Sequence, residues 1–199
     1  MGEKAEYRSA LRSKRLIRQA FVELLQDKDL EKITVTDIIT RADINRGTFY
    51  AHYQDVRAVI EQIENEIIGK MLEFLGEFRH KSFFQNPLPL LLKVSRYIEA
   101  DQAFFRVLIN SKGATPFLEK LKRIFVEHMQ TDSDIPDWVK RSPDFAISIN
   151  FFAGGVVNLY QVWFREETNY SLNELALVVS KIIKNTAGAL FALYVVAGN

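Results

Sequence analysis

The chain has 199 residues, of which 48% are hydrophobic, and its charges nearly cancel at a formal +1. This length suits one or two small domains with a sizeable core, and the balanced charge means that any attraction to nucleic acid must come from a local basic surface. There is no cysteine, which excludes disulfides, thiolate metal sites and a cysteine nucleophile.

The first predicted helix runs from about Ser9 to Leu25, behind an N-terminal arm over residues 1–7. The arm is charged and lacks the apolar core of a secretory signal, so we expect a cytoplasmic protein. Apolar residues recur along one face of the helix, and Arg8, Arg12 and Arg15 fall on the opposite face. Such a face is usually only solvated, but beside a nucleic-acid-binding element it would meet phosphate, and the next segment favours that interpretation.

Residues 33–60 predict two short helices joined by a tight turn and followed by a long helix. Thr34 and Asp37 have the spacing of a capping box at the start of the first short helix. Asp43 falls where the chain must turn sharply, and Asp is among the few residues besides Gly that tolerate a left-handed backbone. Asn45 is placed to cap the second short helix. The segment therefore predicts a helix-turn-helix.

The second short helix, from Arg46 to about His52, leaves outward side chains that suit a DNA groove. Arg46 can donate two hydrogen bonds to a guanine edge, and Thr48 can contact a base edge or a thymine methyl. Gly47 removes bulk where the helix must approach the base pairs, and the phenol and imidazole groups can donate to phosphates. These outward residues are Arg46, Gly47, Thr48, Tyr50 and His52.

This segment resembles the helix-turn-helix of the TetR family of bacterial transcriptional regulators, specifically over about the first sixty residues. The residues that carry the resemblance are Ile33-Thr34-Val35, Asp37-Ile38, Ala42, Arg46-Gly47-Thr48-Phe49-Tyr50 and His52-Tyr53. The resemblance implies a repressor that binds a roughly palindromic double-stranded operator in the bacterial cytoplasm, associated with the nucleoid. Two positions depart from the family: Asp43 replaces a glycine, and Val56 replaces a phosphate-binding lysine whose contact Arg57 can supply.

We therefore predict an all-α protein with two domains. Residues 1–55 form the helix-turn-helix domain, together with the start of the fourth helix, and residues 56–199 form a helical dimerisation and effector domain. The residues expected to contact DNA are Thr34, Thr36, Asn45, Arg46, Gly47, Thr48, Tyr50, His52 and Arg57. Among them, Arg46 and Thr48 are expected to read bases, whereas Thr36, Tyr50 and His52 hold phosphates.

The second domain reads as helices separated by loops, and we find no strand-like alternation. The stretch 131–137 is predicted to be a loop, and its aspartates lack the central Gly and closing Glu of a calcium loop. The predicted helices are 56 to about 78, 90–99, 101 to before 113, 115 to about 129, 142 to about 165, and 171 to about 196. Ser142 followed by Pro143 marks the start of the fifth, and Ser171 with Glu174 has the spacing of a capping box at the start of the last.

The segment 145–164 carries no charged residue and has the length of a membrane span. Its four polar side chains favour a buried helix of a soluble protein, so we predict no membrane association. The last two helices are apolar on several sides, and two adjacent glycines allow another backbone to approach closely. We predict that they form a homodimer interface through Phe151, Gly154, Gly155, Leu159, Trp163, Val179, Ile183 and Leu190.

Aromatic residues are plentiful beyond Lys70, and the sequence leaves two interpretations of them open. They form either a filled core or a cavity for a small apolar or aromatic effector. The family resemblance implies a ligand-binding or partner-sensing domain here. The candidate lining residues are Phe74, Phe78, Tyr97, Phe104, Phe105, Phe125 and Phe152.

The sequence gives no support to an enzyme. It has no phosphate-binding loop, no nucleophile motif and no paired metal ligands, and the histidines His52, His80 and His128 are isolated from one another. We expect no cofactor and no metal. The competing hypothesis is a helical, dimeric interaction module that has lost DNA binding.

Overall fold

The computed structural model describes residues 2–77, 86–111, 114–133, 135–166 and 168–197, with side chains between 7 and 186. This part of the chain is all-helical, as the sequence predicts, and its secondary structure consists of ten α-helices and one short 3-10 turn. The helices are α1 Gly2–Asp27, α2 Val35–Ala42, α3 Arg46–Tyr50, α4 Val56–Gly76, α5 Leu88–Glu99, α6 Gln102–Asn110, α7 Ala114–Thr131, α8 Asp137–Lys140, α9 Pro143–Phe164 and α10 Leu172–Ala197.

The helices group into two compact units. The first comprises Met1–Ile68 with Ser111–Ala114, and the second comprises Gly69–Asn110 with Thr115–Asn199. The first unit extends past residue 55 to include the first turns of α4, the part of the fourth helix that the prediction attached to this domain. It does so because the first turns of α4 contribute buried residues, such as Val59 at 1% exposure.

The first unit has a core to which each of its four helices contributes. The most fully buried side chains are aromatic or branched aliphatic, and their burial fixes the helices against one another. They are Ile17 and Phe21 of α1, Ile38 of α2, Phe49 of α3, and Val59 and Ile63 of α4.

Two helix boundaries in this unit differ from the predicted ones. α1 begins at Gly2, so residues 2–7 of the predicted arm are helical. The residues after Gly2 are mostly good helix formers, and they extend the helix although they supply no apolar face. α3 ends at Tyr50, two residues earlier than predicted, because Ala51 closes it before the chain turns toward Asp55.

The second unit packs α10 against α5 and α9 against α6. A buried polar link joins three of these helices: Ser95 Oγ lies 3.2 Å from both the Tyr160 hydroxyl and the Leu172 carbonyl oxygen. The carbonyl can only accept, so Ser95 donates to it and Tyr160 donates to Ser95. This pairing satisfies both buried hydroxyls.

The starts of α9 and α10 confirm the predicted caps. Ser142 caps α9 with Pro143 at its first position, and Ser171 and Glu174 form the predicted capping box. The predicted loop 131–137 is followed by a short helix, α8, that the sequence analysis missed. α8 has only one buried residue, Val139, so it carries no helical periodicity to detect.

Candidate functional site

The turn between α2 and α3 is made by one residue in a left-handed conformation. Asp43 has φ 51° and ψ 51°, as its place in the sequence predicts, and it directly follows the last residue of α2. The next amide, of Ile44, donates back to the Ile39 carbonyl at 3.1 Å. Only residues 43–45 separate the two helices, so this turn sets the direction in which α3 leaves α2.

The start of α2 is held by the predicted capping box. The Asp37 amide donates to Thr34 Oγ1 at 3.2 Å, and the Thr34 amide and hydroxyl each donate to Asp37 Oδ2 at 2.9 Å. Lys28 donates to the other carboxylate oxygen at 2.6 Å. The Thr34 hydroxyl is therefore already engaged within the protein, although Thr34 was placed among the DNA contacts.

Asp37 gives this cap a dependence on pH. The Lys28 ammonium, followed by the Thr34 donors, lowers the pKa of Asp37 to about 2. A carboxylate with a lowered pKa stabilises the fold above its ordinary pKa and loses that contribution as pH falls toward 2. We expect Asp37→Asn to lower the midpoint of urea unfolding at pH 7, and the difference from wild type to shrink steadily between pH 5 and 2.5. A difference that stays constant over this range would show that ionised Asp37 does not stabilise the helix.

The start of α3 is capped by Asn45, whose Oδ1 accepts from the Thr48 amide at 2.7 Å and the Thr48 hydroxyl at 3.0 Å. The hydroxyl proton of Thr48 is thus committed, which leaves its methyl group and its acceptor lone pairs for an outside partner. A Cβ atom at Gly47 would lie 3.3 Å from Asn45 Oδ1. Glycine therefore leaves the cap undisturbed and keeps this turn of the helix slim.

The outer surface of α3 carries the other predicted contact residues. Arg46 is exposed, and the described part of the chain shows no ion pair or hydrogen bond to its side chain. Tyr50 is 50% exposed, and its ring packs edge-to-face on buried Phe49 at 5.5 Å between centroids. Thr36 on α2 is exposed, and His52 is half-buried. Phe49 thus anchors α3 in the core of the unit, while Arg46 and Tyr50 stay accessible on its outer surface.

Arg57, at the start of α4, is the predicted substitute for the family lysine. Its side chain is 84% exposed, and its Nε lies 3.3 Å from Glu61 Oε1, one turn further along α4. Asp55 caps the helix by accepting from the Ala58 amide at 2.8 Å. An exposed pair four residues apart is weak, so a phosphate can compete with Glu61 for Arg57.

One ion-pair network in this unit was missed by the sequence analysis. Arg41 of α2 lies 2.9 Å from Asp27 and 3.6 Å from Glu23, both on α1. Together with the pair between Lys28 and Asp37, these contacts tie α2 to the end of α1. No sequence signal points to them, because the partners belong to separate helices.

The predicted effector residues of the second unit mostly contact one another. Phe74, Tyr97, Phe105 and Phe104 form a continuous series of edge-to-face rings, with centroid separations of 5.8, 5.4 and 5.2 Å. Phe152 is buried as well, Phe125 is half-buried, and Phe78 lies outside the described residues. Rings that fill one another's space favour the packed-core interpretation for this series.

The predicted dimer surface divides into exposed and buried residues. Phe151 is 64% exposed, and no atom of the described chain lies within 4 Å of a Cβ built on Gly154 or Gly155. Val179 and Ile183 must be corrected: each is 1% exposed, because their side of α10 packs against α5 within the protomer.

The remaining residues of this surface have intermediate positions. Leu159 and Trp163 are half-buried, the Trp163 indole donates to the Tyr170 carbonyl at 2.6 Å, and the side chain of Leu190 lies outside the described region. Ile147, missed by the sequence analysis, is 68% exposed one turn before Phe151. Its spacing from Phe151 was the signal that could have identified it.

The described residues include one long apolar helix and no cluster of metal-ligating side chains. They contain no group of three His, Cys, Asp or Glu residues placed to hold a metal ion. Among them, α9 is long and apolar enough to cross a membrane, by length and composition only, and 28% of its most apolar 18-residue stretch is buried. A helix of a soluble protein can have the same length and composition.

Comparison with known proteins matches part of the chain to a family model and to curated regulators. The TetR-type family model for the transcriptional regulator C-terminal region matches residues 85–185, about half of the chain. The dhaKLM operon transcriptional activator DhaS of Lactococcus lactis is 33% identical over 98 residues, covering 47% of this chain and 47% of DhaS. The HTH-type regulator YxbF of Bacillus subtilis is 28% identical over 101 residues, covering 47% of this chain and 26% of YxbF. The chain therefore matches about half or less of the length of these curated relatives.

Solved structures share the fold over nearly the whole chain. A TetR-family regulator from Syntrophomonas wolfei superposes with a TM-score of 0.68 at 13% identity, covering 88% of this chain and 94% of its own. A TetR regulator from Streptococcus agalactiae gives a TM-score of 0.62 at 20% identity, covering 92% and 99%. The match to the family model extends the helix-turn-helix resemblance into the second unit, and the chain belongs to the TetR family of transcriptional regulators.

Proposed function

We propose that this protein is a sequence-specific DNA-binding regulator that acts as a homodimer on a two-fold operator. The observation that carries the proposal is the exposed guanidinium of Arg46 at the first position of α3. The Asp43 turn and the Asn45 cap fix the start of that helix, and the burial of Phe49 holds it in place. A short helix held in this way presents its amino-terminal side chains to a major groove.

The proposed roles follow from the groups of each side chain that the caps and ion pairs of the protein do not already engage. Arg46 reads a guanine, Thr48 contacts a base through its methyl group or as an acceptor, and Gly47 permits close approach. The phosphate contacts are assigned to Thr36, Tyr50, His52 and Arg57. Thr34 and Asn45 support the reading helix through the two caps.

The homodimer is supported by an apolar surface on α9 that the protomer leaves uncovered. Ile147 and Phe151 lie four residues apart and are 68% and 64% exposed. Gly154 and Gly155 continue the same helix with no described contact that requires glycine. Glycine inside a helix costs about 0.5–1 kcal/mol relative to alanine, so close approach by a second copy accounts for the pair.

We further propose that a ligand or a protein partner controls the affinity for DNA through the second unit. α4 is one continuous helix that begins with the Asp55 cap and reaches the aromatic series at Phe74. A molecule that displaces the Phe74 ring would have to move that end of α4. It can shift DNA affinity only by its differential affinity for the two arrangements. The packed rings make an apolar or aromatic effector the better match.

Repression is the proposed direction of control, in the bacterial cytoplasm and at the nucleoid. DhaS is named as an activator, so the direction needs its own test. A reporter placed behind the operator should rise when the gene for this protein is deleted. A fall on deletion would show activation.

The role of Arg46 can be tested by substitution. On an operator obtained by selection from random duplexes, Arg46→Ala should cost about 1–3 kcal/mol of binding free energy and relax preference at one base pair per half-site. The measurement is fluorescence anisotropy on the operator and on its single-base variants. Arg57→Ala is the matched control, because loss of a phosphate contact should weaken all sequences alike. If Arg46→Ala also weakened all sequences alike, the base-reading role would be wrong.

The competing function is a dimeric interaction module without DNA binding. Such a protein would keep its dimer and show no preference among duplexes. The near-neutral net charge is compatible with it, but the exposed cation on α3 favours DNA.

A further inference from the structure

The described side chains in the amino-terminal half of α1, residues 7–16, stay outside the core of its unit. The helix begins at Gly2, and among its described side chains, which start at Tyr7, the first buried one is Ile17. The ten described residues from 7 to 16, or about 15 Å of helix, therefore carry no buried side chain. Tyr7 and Leu11 in this part are 66% and 50% exposed.

Beyond Glu3 and Glu6, the cations of α1 have no carboxylate beside them in the sequence until Glu23. Residues 7–22 contain five Lys or Arg and no Asp or Glu. Arg8, Arg12 and Arg15 are exposed, and none of them makes an ion pair with any residue that the structure describes. By contrast Arg18, further along α1, lies 3.9 Å from Glu66 of α4.

The spacing of the three arginines places them on one side of the helix. Residues three or four positions apart are neighbours on a helix surface, and like charges at this spacing repel one another and destabilise the helix. Burial in the core does not compensate for this repulsion, because none of the described side chains before Ile17 is buried. An anionic partner with regularly repeated charges would relieve it.

We propose that Arg8, Arg12 and Arg15 form a phosphate-binding face that contacts the DNA backbone outside the bases read by α3. The proposal rests on the proposed function, since it extends the footprint of the same unit. α1 packs directly on α2 and α3 within that unit. The three arginines therefore belong to the same packed unit as the helix that holds the duplex. Duplex DNA supplies one negative charge per about 1.7 Å of its axis, which suits a row of cations.

A membrane surface fits this helix less well. A helix that lies in a membrane interface buries a broad apolar face in the lipid. The apolar face of α1 is instead used in the core of its own unit, through Ile17, Phe21 and Leu24. The basic face therefore contributes affinity and salt dependence for DNA, and it adds nothing to sequence preference.

The test uses the full-length protein and a duplex of arbitrary sequence of about forty base pairs. Binding is measured by fluorescence anisotropy between 50 and 200 mM salt for wild type and for Arg8→Gln/Arg12→Gln/Arg15→Gln. Each lost phosphate contact should reduce the slope of log affinity against log salt by about 0.9, which gives about 2.7 per protomer for three contacts. Glutamine keeps helix propensity close to that of arginine, and circular dichroism checks that helicity is retained.

Three further variants control for net charge and for folding. Arg96→Gln/Arg141→Gln/Arg165→Gln removes the same charge from exposed positions of the second unit and should keep the wild-type slope. Replacing Arg8, Arg12 and Arg15 together by lysine should also keep it, because lysine binds phosphate as a point charge. The single Arg12→Gln should reduce the slope by about 0.9 per protomer, which preserves a readout if the triple variant does not fold.

Several results would overturn the proposal. They are a wild-type slope in both glutamine variants of the basic face, an equal loss in the control triple, and no binding of wild type to the duplex at all. Loss of binding to vesicles containing anionic phospholipid, with the DNA slope unchanged, would assign the face to a membrane. Failure of the proposed function would give a different result. Wild type would bind selected and arbitrary duplexes with equal affinity, while the glutamine variants of the basic face would still reduce the slope of log affinity against log salt.

Discussion

Replacing Phe49 by alanine should unfold the DNA-binding unit at much lower denaturant while leaving the second unit folded. Phe49 is 0% exposed and is the buried residue of α3, with its ring against those of Tyr50 and Tyr53. Truncating a buried phenylalanine costs about 3–5 kcal/mol, because both the transfer free energy and the packing around the cavity are lost. That is a large part of the stability of a domain of this size.

The two units can be followed separately in one experiment. Both tryptophans, Trp138 and Trp163, belong to the second unit, so tryptophan fluorescence reports that unit and circular dichroism reports both. In urea, Phe49→Ala should move the unfolding of the first unit, seen by circular dichroism, to lower urea concentration. The transition of the second unit, seen by tryptophan fluorescence, should not move. Tyr50→Ala is the matched control, since this neighbour is 50% exposed and should cost much less. An unshifted dichroism transition in Phe49→Ala would contradict the proposed core.

Replacing Phe151 by glutamate should convert the dimer into a folded monomer. Phe151 is 64% exposed in the protomer, so the substitution leaves the protomer core intact. In the proposed dimer the new carboxylate would be buried without a partner, at a cost of about 3–5 kcal/mol. The dimer dissociation constant should therefore rise by about a hundredfold or more. Operator affinity should fall with it, since a single protomer holds only one half-site.

Light scattering at micromolar concentration measures this change directly. Tyr170→Glu is the control, because Tyr170 is 52% exposed but lies in the connection between α9 and α10. It should remain a dimer. Wild type found as a monomer, or Phe151→Glu found as a dimer, would exclude the surface around Phe151 as the interface.

Local signals in the sequence predicted the helix-turn-helix well. The caps at Thr34 and Asn45 and the left-handed Asp43 depend on residues within a few positions of each other, and the structure contains all of them. The family resemblance covers the same segment, so the helix order and the exposed Arg46 followed from it.

Contacts between separate helices were less accessible to prediction. Val179 and Ile183 were assigned to the dimer surface because an apolar side chain does not show which neighbour covers it, and α5 covers them. The aromatic series around Tyr97 posed the same difficulty, since a filled core and a lined cavity have the same composition. The start of α1 was missed because its first half has no apolar face, and the prediction relied on such a face.

Selection of binding sites from random duplexes by the full-length protein tests the central claim most directly. The account predicts enrichment of an inverted repeat, in which each half-site contains a base pair whose preference disappears in Arg46→Ala. Recovered sequences with no common motif, from protein shown to be folded and dimeric, would contradict it.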